Sequence, residues 1–169
     1  MDRPADHYKK IESPIGPLTL VARAKCLTAI CWERDDSGGM PSIASTEDKT
    51  HPVLVAAERQ LNEYFDGRRK TFSLPLELAG TEFQNKVWRA VMTIPFGETR
   101  SYGQIAEQVG NERAMRAVGS ANGKNPFSIV VPCHRVVGAA GEATGSGVGL
   151  DCRRFLLALE SDCLGRPVR

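Results

Sequence analysis

Ser101-Tyr102-Gly103-Gln104-Ile105-Ala106-Glu107-Gln108-Val109-Gly110-Asn111-Glu112-Arg113-Ala114-Met115-Arg116-Ala117-Val118-Gly119-Ser120-Ala121-Asn122-Gly123 is the stretch on which the fold turns. Ser101 and Gln104 have the spacing of a capping box, in which each side chain bonds the other residue's backbone N–H. They predict a short helix through Ile105, Ala106 and Val109 that stops at Gly110. Asn111 is placed to cap a second helix over 112–122. Two short helices joined by a Gly-Asn turn outline a helix-turn-helix. In the second helix Ala114, Ala117, Gly119, Ser120, Ala121 and Gly123 leave one side almost without bulk, while Arg113 and Arg116 project. Such a helix suits close packing in a core, and it equally suits a narrow groove that admits little more than backbone and a few cations. Composition leaves both readings open.

Toward the N-terminus, Thr81-Glu82-Phe83-Gln84 is a further capping box, opening a helix with Phe83, Val87, Ala90 and Val91 on one face and a limit at Pro95. Before it the pattern changes. Residues 8–11 and 18–23 alternate apolar and polar around Ser13-Pro14-Ile15-Gly16-Pro17, the outline of a hairpin, and 26–32 adds a third strand. A polar connection beginning at Asp35-Asp36-Ser37-Gly38-Gly39 runs to about Thr50. His51-Pro52 then starts a helix striped by Leu54, Ala57, Leu61, Tyr64 and Phe65 and closed by Gly67. Phe72, Leu74, Leu76 and Leu78 predict an edge strand, interrupted by Pro75. The fold class expected is α+β. Residues 1–78 form a small α/β scaffold with an antiparallel sheet of three or more strands. Residues 79–169 form a mainly helical domain containing the helix-turn-helix.

Toward the C-terminus, Phe127-Ser128-Ile129-Val130-Val131 reads as a buried strand that Pro132 ends. Cys133, His134 and Arg135 follow at once, a thiol beside an imidazole that could take its proton and a cation. On these three residues alone, a small buried cysteine is the more frequent outcome. Thr144-Gly145-Ser146-Gly147-Val148-Gly149 is glycine-rich, but its spacing is not that of a dinucleotide site. A last helix is expected over 150–160 with Phe155, Leu156 and Leu159 buried and Arg153-Arg154 outside, before a frayed tail at 161–169.

The chain has 169 residues, 41% hydrophobic and 25% charged, with a net charge of +2. That composition is ordinary for a globular protein and only mildly basic, so charge permits a nucleic acid partner without indicating one. No apolar run suits a membrane span and no signal-peptide pattern opens the chain. Five cysteines, an odd number with no Cys-x-x-Cys, argue against a disulfide scaffold or zinc ribbon. A reducing, cytoplasmic setting is expected, or a nuclear one in a eukaryote.

Pro132-Cys133-His134-Arg135-Val136, preceded by Asn125-Pro126 and Ile129-Val130-Val131, resembles the active-site signature of the O6-alkylguanine-DNA alkyltransferases. The likeness continues through Phe83-Gln84, Val87-Trp88, Ile94-Pro95, Gly97, Ser101-Tyr102, Arg116-Ala117-Val118-Gly119, Thr144-Gly145, Leu156-Leu157 and Glu160, and thins to Ser13-Pro14-Ile15-Gly16-Pro17-Leu18 near the start.

The resemblance implies direct-reversal DNA repair: O6-alkylguanine is flipped out of double-stranded DNA and its alkyl group passes irreversibly to Cys133. It implies His134 as base, directly or through water, Glu160 as the group orienting the imidazole, and Tyr102 as hydrogen-bond donor to a ring nitrogen of the leaving guanine. It places the second helix in the minor groove through Arg116, Ala117, Ser120, Ala121 and Asn122, with Arg116 filling the gap left by the base. Asn125 holds the active-site turn, and Val136, Ser146, Gly147 and Val148 line the pocket. Arg135 braces the site or the interface between the two units. Ser146 departs from the tyrosine usual there, and Val148 from glycine. Some relatives carry a structural zinc, but Arg23 and Thr28 stand where ligands would be, so no metal is expected. No cofactor is implied, and a monomer is expected. The alternatives are a non-catalytic alkylated-DNA binder or DNA-binding regulator, and a cysteine hydrolase on Cys133, His134 and Glu160.

Overall fold

A computed structural model describes residues 5–32, 45–145 and 147–165. The expected connection at Asp35–Gly39 and the departure at Ser146 lie outside the described residues. The chain divides into two compact units, Met1–Leu78 and Ala79–Arg169.

In the first unit, strands β1 (Asp6–Ile11), β2 (Leu18–Arg23) and β3 (Cys26–Trp32) form an antiparallel meander, and β4 (Thr46–Glu47) adds to β1 in parallel. The sheet order is β3-β2-β1-β4. Helix α1 (Pro52–Phe65) has proline in its first turn, and the His51 imidazole accepts from Val53 N at 3.2 Å. Leu54, Ala57, Leu61 and Tyr64 are fully buried and form the core with Leu18, Leu20 and Leu27. Gly67, at φ 76°, closes α1 in the left-handed region that glycine enters freely. The strand expected over 72–78 reduces to a bridge: Leu27 N donates to Pro75 O and Glu77 N to Leu27 O, beside the edge strand β3. Pro75 has no N–H to extend the ladder. Gln60 takes over part of its work, donating to Ser73 O at 3.1 Å and accepting from Ser73 N at 2.8 Å.

The second unit holds α2 (Glu82–Met92), β5 (Arg100–Ser101), α3 (Tyr102–Gln108), α4 (Met115–Gly123), β6 (Val136–Val137) and α5 (Gly147–Cys163). Both capping boxes form, Thr81 with Gln84 and Ser101 with Gln104. Gly110 (φ 87°) ends α3, with Asn111 N reaching back to Ala106 O at 2.9 Å. Helix α4 begins at Met115, three residues later than the sequence predicts. Asn111 spends its side chain on a local turn, accepting from Arg113 N at 3.2 Å, and the helix starts without a side-chain cap. Trp88 binds α2 to α4 by donating to Ala121 O at 2.8 Å, and its ring lies so close to Gly80 that a Cβ there would come within 2.6 Å.

Two expectations on the C-terminal part are corrected. Helix α5 is longer than expected at both ends and runs through Cys163, while Phe155 is 40% exposed and Leu159 only half-buried. Its inward stripe is Leu156 and Glu160, so a carboxylate takes a place on the face that hydrophobicity would have given to Phe155. The strand over 127–131 does not form either. Phe127, Ile129 and Val131 are buried, but the backbone turns, with Val131 N bonded to Phe127 O and Val130 N to Ser128 O. Apolar content makes the burial legible. The conformation is not legible in the same way, because the side chain of Asn125, outside the segment, imposes it.

Candidate active site

The site begins with Asn125. Its Oδ1 accepts from Phe127 N at 2.8 Å and its Nδ2 donates to Val131 O at 2.8 Å, satisfying backbone groups that a strand would have paired with a neighbour. The loop folded around this amide carries Ile129 at φ 75°, a conformation that a β-branched residue adopts at a cost. Pro132 ends the loop, and Cys133–Arg135 make one 3-10 turn. The Cys133 carbonyl accepts from Asn122 Nδ2 at 3.3 Å and from the Val136 N–H. The turn then passes into β6, which pairs in parallel with β5: Arg100 faces Val136 and Ser101 faces Val137. Since β5 leads directly into Tyr102, this short ladder fixes the spacing between Tyr102 and the Cys133 turn.

His134 and Glu160 are each 1% exposed, and Arg135 is 6% exposed. The Glu160 carboxylate meets His134 Nε2 at 2.6 Å, Arg135 Nε at 2.8 Å, the Arg135 Nη2 at 3.0 Å and Gly97 N at 3.0 Å. Arg135 also donates to Ile94 O at 2.8 Å and lies over the Phe96 ring. A buried charge persists only when paired and hydrogen-bonded to this degree.

Burial alone would raise the Glu160 pKa. The hydrogen bonds and charges of His134 and then of Arg135 outweigh it and hold the carboxyl well below the usual carboxylate range. For His134, burial is the largest influence and favours the neutral ring. Glu160 pulls its pKa up, Arg135 and Arg153 push it down, and the result lies below the ordinary histidine value.

An ionised Glu160 can only accept, so the proton of the neutral ring resides on Nε2, and Nδ1 carries a lone pair. Nδ1 is buried with no hydrogen-bond partner among the described residues. The arrangement therefore provides an oriented base one residue from a half-buried thiol. Arg135 braces the site through Glu160.

Two profiles cover most of the chain: the 6-O-methylguanine DNA methyltransferase ribonuclease-like domain matches residues 7–78, and the DNA binding domain of the same family matches residues 82–162. The chain belongs to the 6-O-methylguanine DNA methyltransferase family. A methylated-DNA–protein-cysteine methyltransferase of Mycobacterium bovis is 48% identical over 159 residues, 91% of this chain and 92% of that protein. The crystal structure of Mycobacterium tuberculosis O6-methylguanine methyltransferase superposes with a TM-score of 0.86 at 47% identity, covering 97% of this chain and 96% of that one. Mycobacterium tuberculosis OGT in complex with DNA gives a TM-score of 0.86 at 49% identity, covering 93% and 94%.

Helix α4 is the second helix of the helix-turn-helix. Met115, Arg116, Ala117 and Ser120 are exposed on it. Ala121 (3%) and Asn122 (1%) are buried, so the expectation that these two face a duplex is corrected. Ala121 faces α2, and Asn122 reaches inward to hold the Cys133 turn. Tyr102 opens α3, and its hydroxyl lies 2.5 Å from Thr144 Oγ1. Val136 is fully buried in β6; Gly147 and Val148 form the start of α5.

Sequence reasoning missed Arg153. It donates to Thr144 O at 3.0 Å and to Thr144 Oγ1 at 2.9 Å instead of pointing outside. A usable signal was present: 153, 156 and 160 share one helix face, so Arg153 belongs with Leu156 and Glu160 and not with Arg154.

Proposed function

We propose that this chain repairs O6-alkylguanine in double-stranded DNA by moving the alkyl group to its own Cys133. Helix α4 enters the minor groove with Ala117 and Ser120 against its walls, and Arg116 takes the place of the rotated-out guanine. Flipping is required because a stacked base cannot bring its O6 substituent to a half-buried sulfur. His134 Nδ1 takes the thiol proton, directly or through a water. The Cys133 sulfur attacks the alkyl carbon, the S–C bond forms, and the C–O6 bond breaks with its electron pair passing to the purine. Tyr102 gives its proton to a purine ring nitrogen, so guanine leaves as the neutral base, and the proton taken up by His134 returns to the phenolate through solvent.

The thioether has no internal route to hydrolysis, so each chain reacts once, and the reaction as written requires neither cofactor nor metal. The resemblance assigns Ser146, Gly147 and Val148 to the base pocket, where a serine would stack less on a base than an aromatic residue. A reacting thiol requires a reducing compartment, and we assign the protein to the cytoplasm as a monomer.

The observation that carries this reading is the buried Glu160–His134 pair, which fixes the base's tautomer one residue from Cys133. Mass spectrometry after mixing with O6-methylguanine DNA tests it. One methyl on Cys133, none on a Cys133→Ala chain, and repaired DNA are expected. Binding with no added mass would make the protein a non-catalytic lesion binder. Repeated turnover on an ester would make it a hydrolase.

A further inference from the structure

Thr144 and Arg153 have no part in the chemistry above, yet they form one continuous hydrogen-bonded chain with Tyr102. The Arg153 Nη1 donates to both the carbonyl and the hydroxyl of Thr144, at 3.0 and 2.9 Å. That hydroxyl lies 2.5 Å from the Tyr102 hydroxyl, with either atom able to donate. The contact spans 42 positions of sequence, so it is a product of the tertiary fold. Gly145, at φ 115°, lets the backbone turn so that Thr144 meets α5.

A guanidinium has donors only. By occupying one lone pair of Thr144 Oγ1, Arg153 favours the arrangement in which Thr144 donates its own proton to the Tyr102 oxygen. The Tyr102 proton is then left to point away from Thr144. We propose that Arg153 and Thr144 are positioning residues that aim the Tyr102 O–H at the ring nitrogen of the departing purine. The inference rests on the reading of Tyr102 as donor to that nitrogen. In this chain of donors each group bonds onward in one direction, and the fixed positive charge lies at the end remote from the base. It meets developing negative charge on the purine without placing a cation in the pocket itself. The relay requires a hydroxyl at 144 and a cationic donor at 153, and the hydroxyl is the part separable from the thiol chemistry.

Arg153 is also among the charges that push down the His134 pKa, behind burial and Arg135, so a change at 153 touches both halves of the site. Thr144→Val is the cleaner variant, because valine keeps the shape and removes only the hydroxyl. The experiment measures second-order rates with three reagents. O6-benzylguanine needs its purine stabilised as it leaves. O6-benzyl-8-azaguanine carries a more electron-poor base and needs this less. Iodoacetamide, read on the Cys133 peptide because Cys26, Cys152 and Cys163 are half-buried thiols as well, alkylates Cys133 with no purine at all.

For Thr144→Val we expect a loss of about tenfold on O6-benzylguanine, the scale of one lost charge-assisted hydrogen bond. The loss should be smaller on the aza analogue and absent with iodoacetamide. Tyr102→Phe should show the same ordering, and adding Thr144→Val to it should cost little more, since the two act as one unit. Arg153→Lys should retain more O6-benzylguanine rate than Arg153→Met.

If Tyr102→Phe is slow and selective while Thr144→Val matches the parent, the relay is overturned and the reading of Tyr102 stands. If Tyr102→Phe itself matches the parent on O6-benzylguanine, the reading of Tyr102 fails, and the relay with it. A Thr144→Val chain that loses iodoacetamide reactivity in proportion would show a purely structural role and would also overturn the relay.

Discussion

Glu160 carries a negative charge at 1% exposure, and four donors from three residues hold it there. The consequence for catalysis falls on His134. Because its pKa lies below the ordinary value of 6.5, the neutral ring persists into mildly acidic solution. Alkyl transfer should therefore stay flat from about pH 8 down through pH 6.5 and fall only below it. His134→Gln should be slower throughout and should gain rate toward alkaline pH, where hydroxide forms thiolate without a base. Stopped-time transfer assays across pH check this, and an unchanged profile in the variant would remove the imidazole from the mechanism. Arg116 belongs to a different task. Arg116→Ala should slow repair of duplex DNA far more than reaction with free O6-benzylguanine, which has no stack to open. Equal losses on both substrates would make Arg116 structural.

At the scale of elements, the active-site turn depends on one amide. Asn125→Ala strips the partner from Phe127 N and Val131 O, and an unsatisfied buried backbone group costs about 1–3 kcal/mol. Part of the cost should be recovered by loosening the turn, and Ile129 would then leave its left-handed conformation. We expect a lower melting temperature together with a transfer rate reduced on every substrate, iodoacetamide included, since the displaced element carries the thiol. Asn125→Asp is the informative companion. It keeps the acceptor for Phe127 N but puts a carboxylate oxygen where Val131 O needs a donor. Chemical denaturation of the three chains should order them parent first, and a parent-like Asp variant would show that the Val131 bond contributes nothing.

At the scale of the whole molecule, the same buried groups set how stability varies with pH. A carboxyl whose folded pKa is depressed stabilises the fold above its unfolded value, near 4.5, and that contribution is lost as pH falls toward the folded value. A histidine with a depressed folded pKa acts in the same direction but from higher pH. Below about 6.5 the unfolded chain takes up a proton that the folded chain refuses, so stability declines. Both signs agree, and acid should destabilise the protein in two stages, beginning below pH 6.5 and steepening below 4.5. One excluded proton is worth up to about 1.4 kcal/mol per pH unit. His134→Gln should flatten the upper stage, read as the difference between the two melting-temperature profiles from pH 7 to 5. Identical slopes would mean that His134 accepts its proton without cost in the folded state.

Local chemistry decided much of this protein. The capping boxes at Thr81 and Ser101, the stop at Gly110, proline in the first turn of α1 and the hairpin around Pro14–Pro17 all depend on neighbours within a few residues, and all are legible in the sequence alone. So is the burial of Phe127 to Val131, because apolar content determines whether a segment leaves water. What tertiary structure decided was the use of polar side chains across distance. The nearest case is Asn125, which converted an apparent strand into a turn by taking its backbone bonds two and six residues on. Asn122 turned from an expected surface position into the support of the Cys133 carbonyl. Arg153, whose helix face is legible in the spacing, found its partners Thr144 and, through it, Tyr102 only in the folded chain. Periodicity sorts residues by hydrophobicity alone, and a buried amide or guanidinium is stable only where a distant partner satisfies it. That partner exists only once the chain has folded.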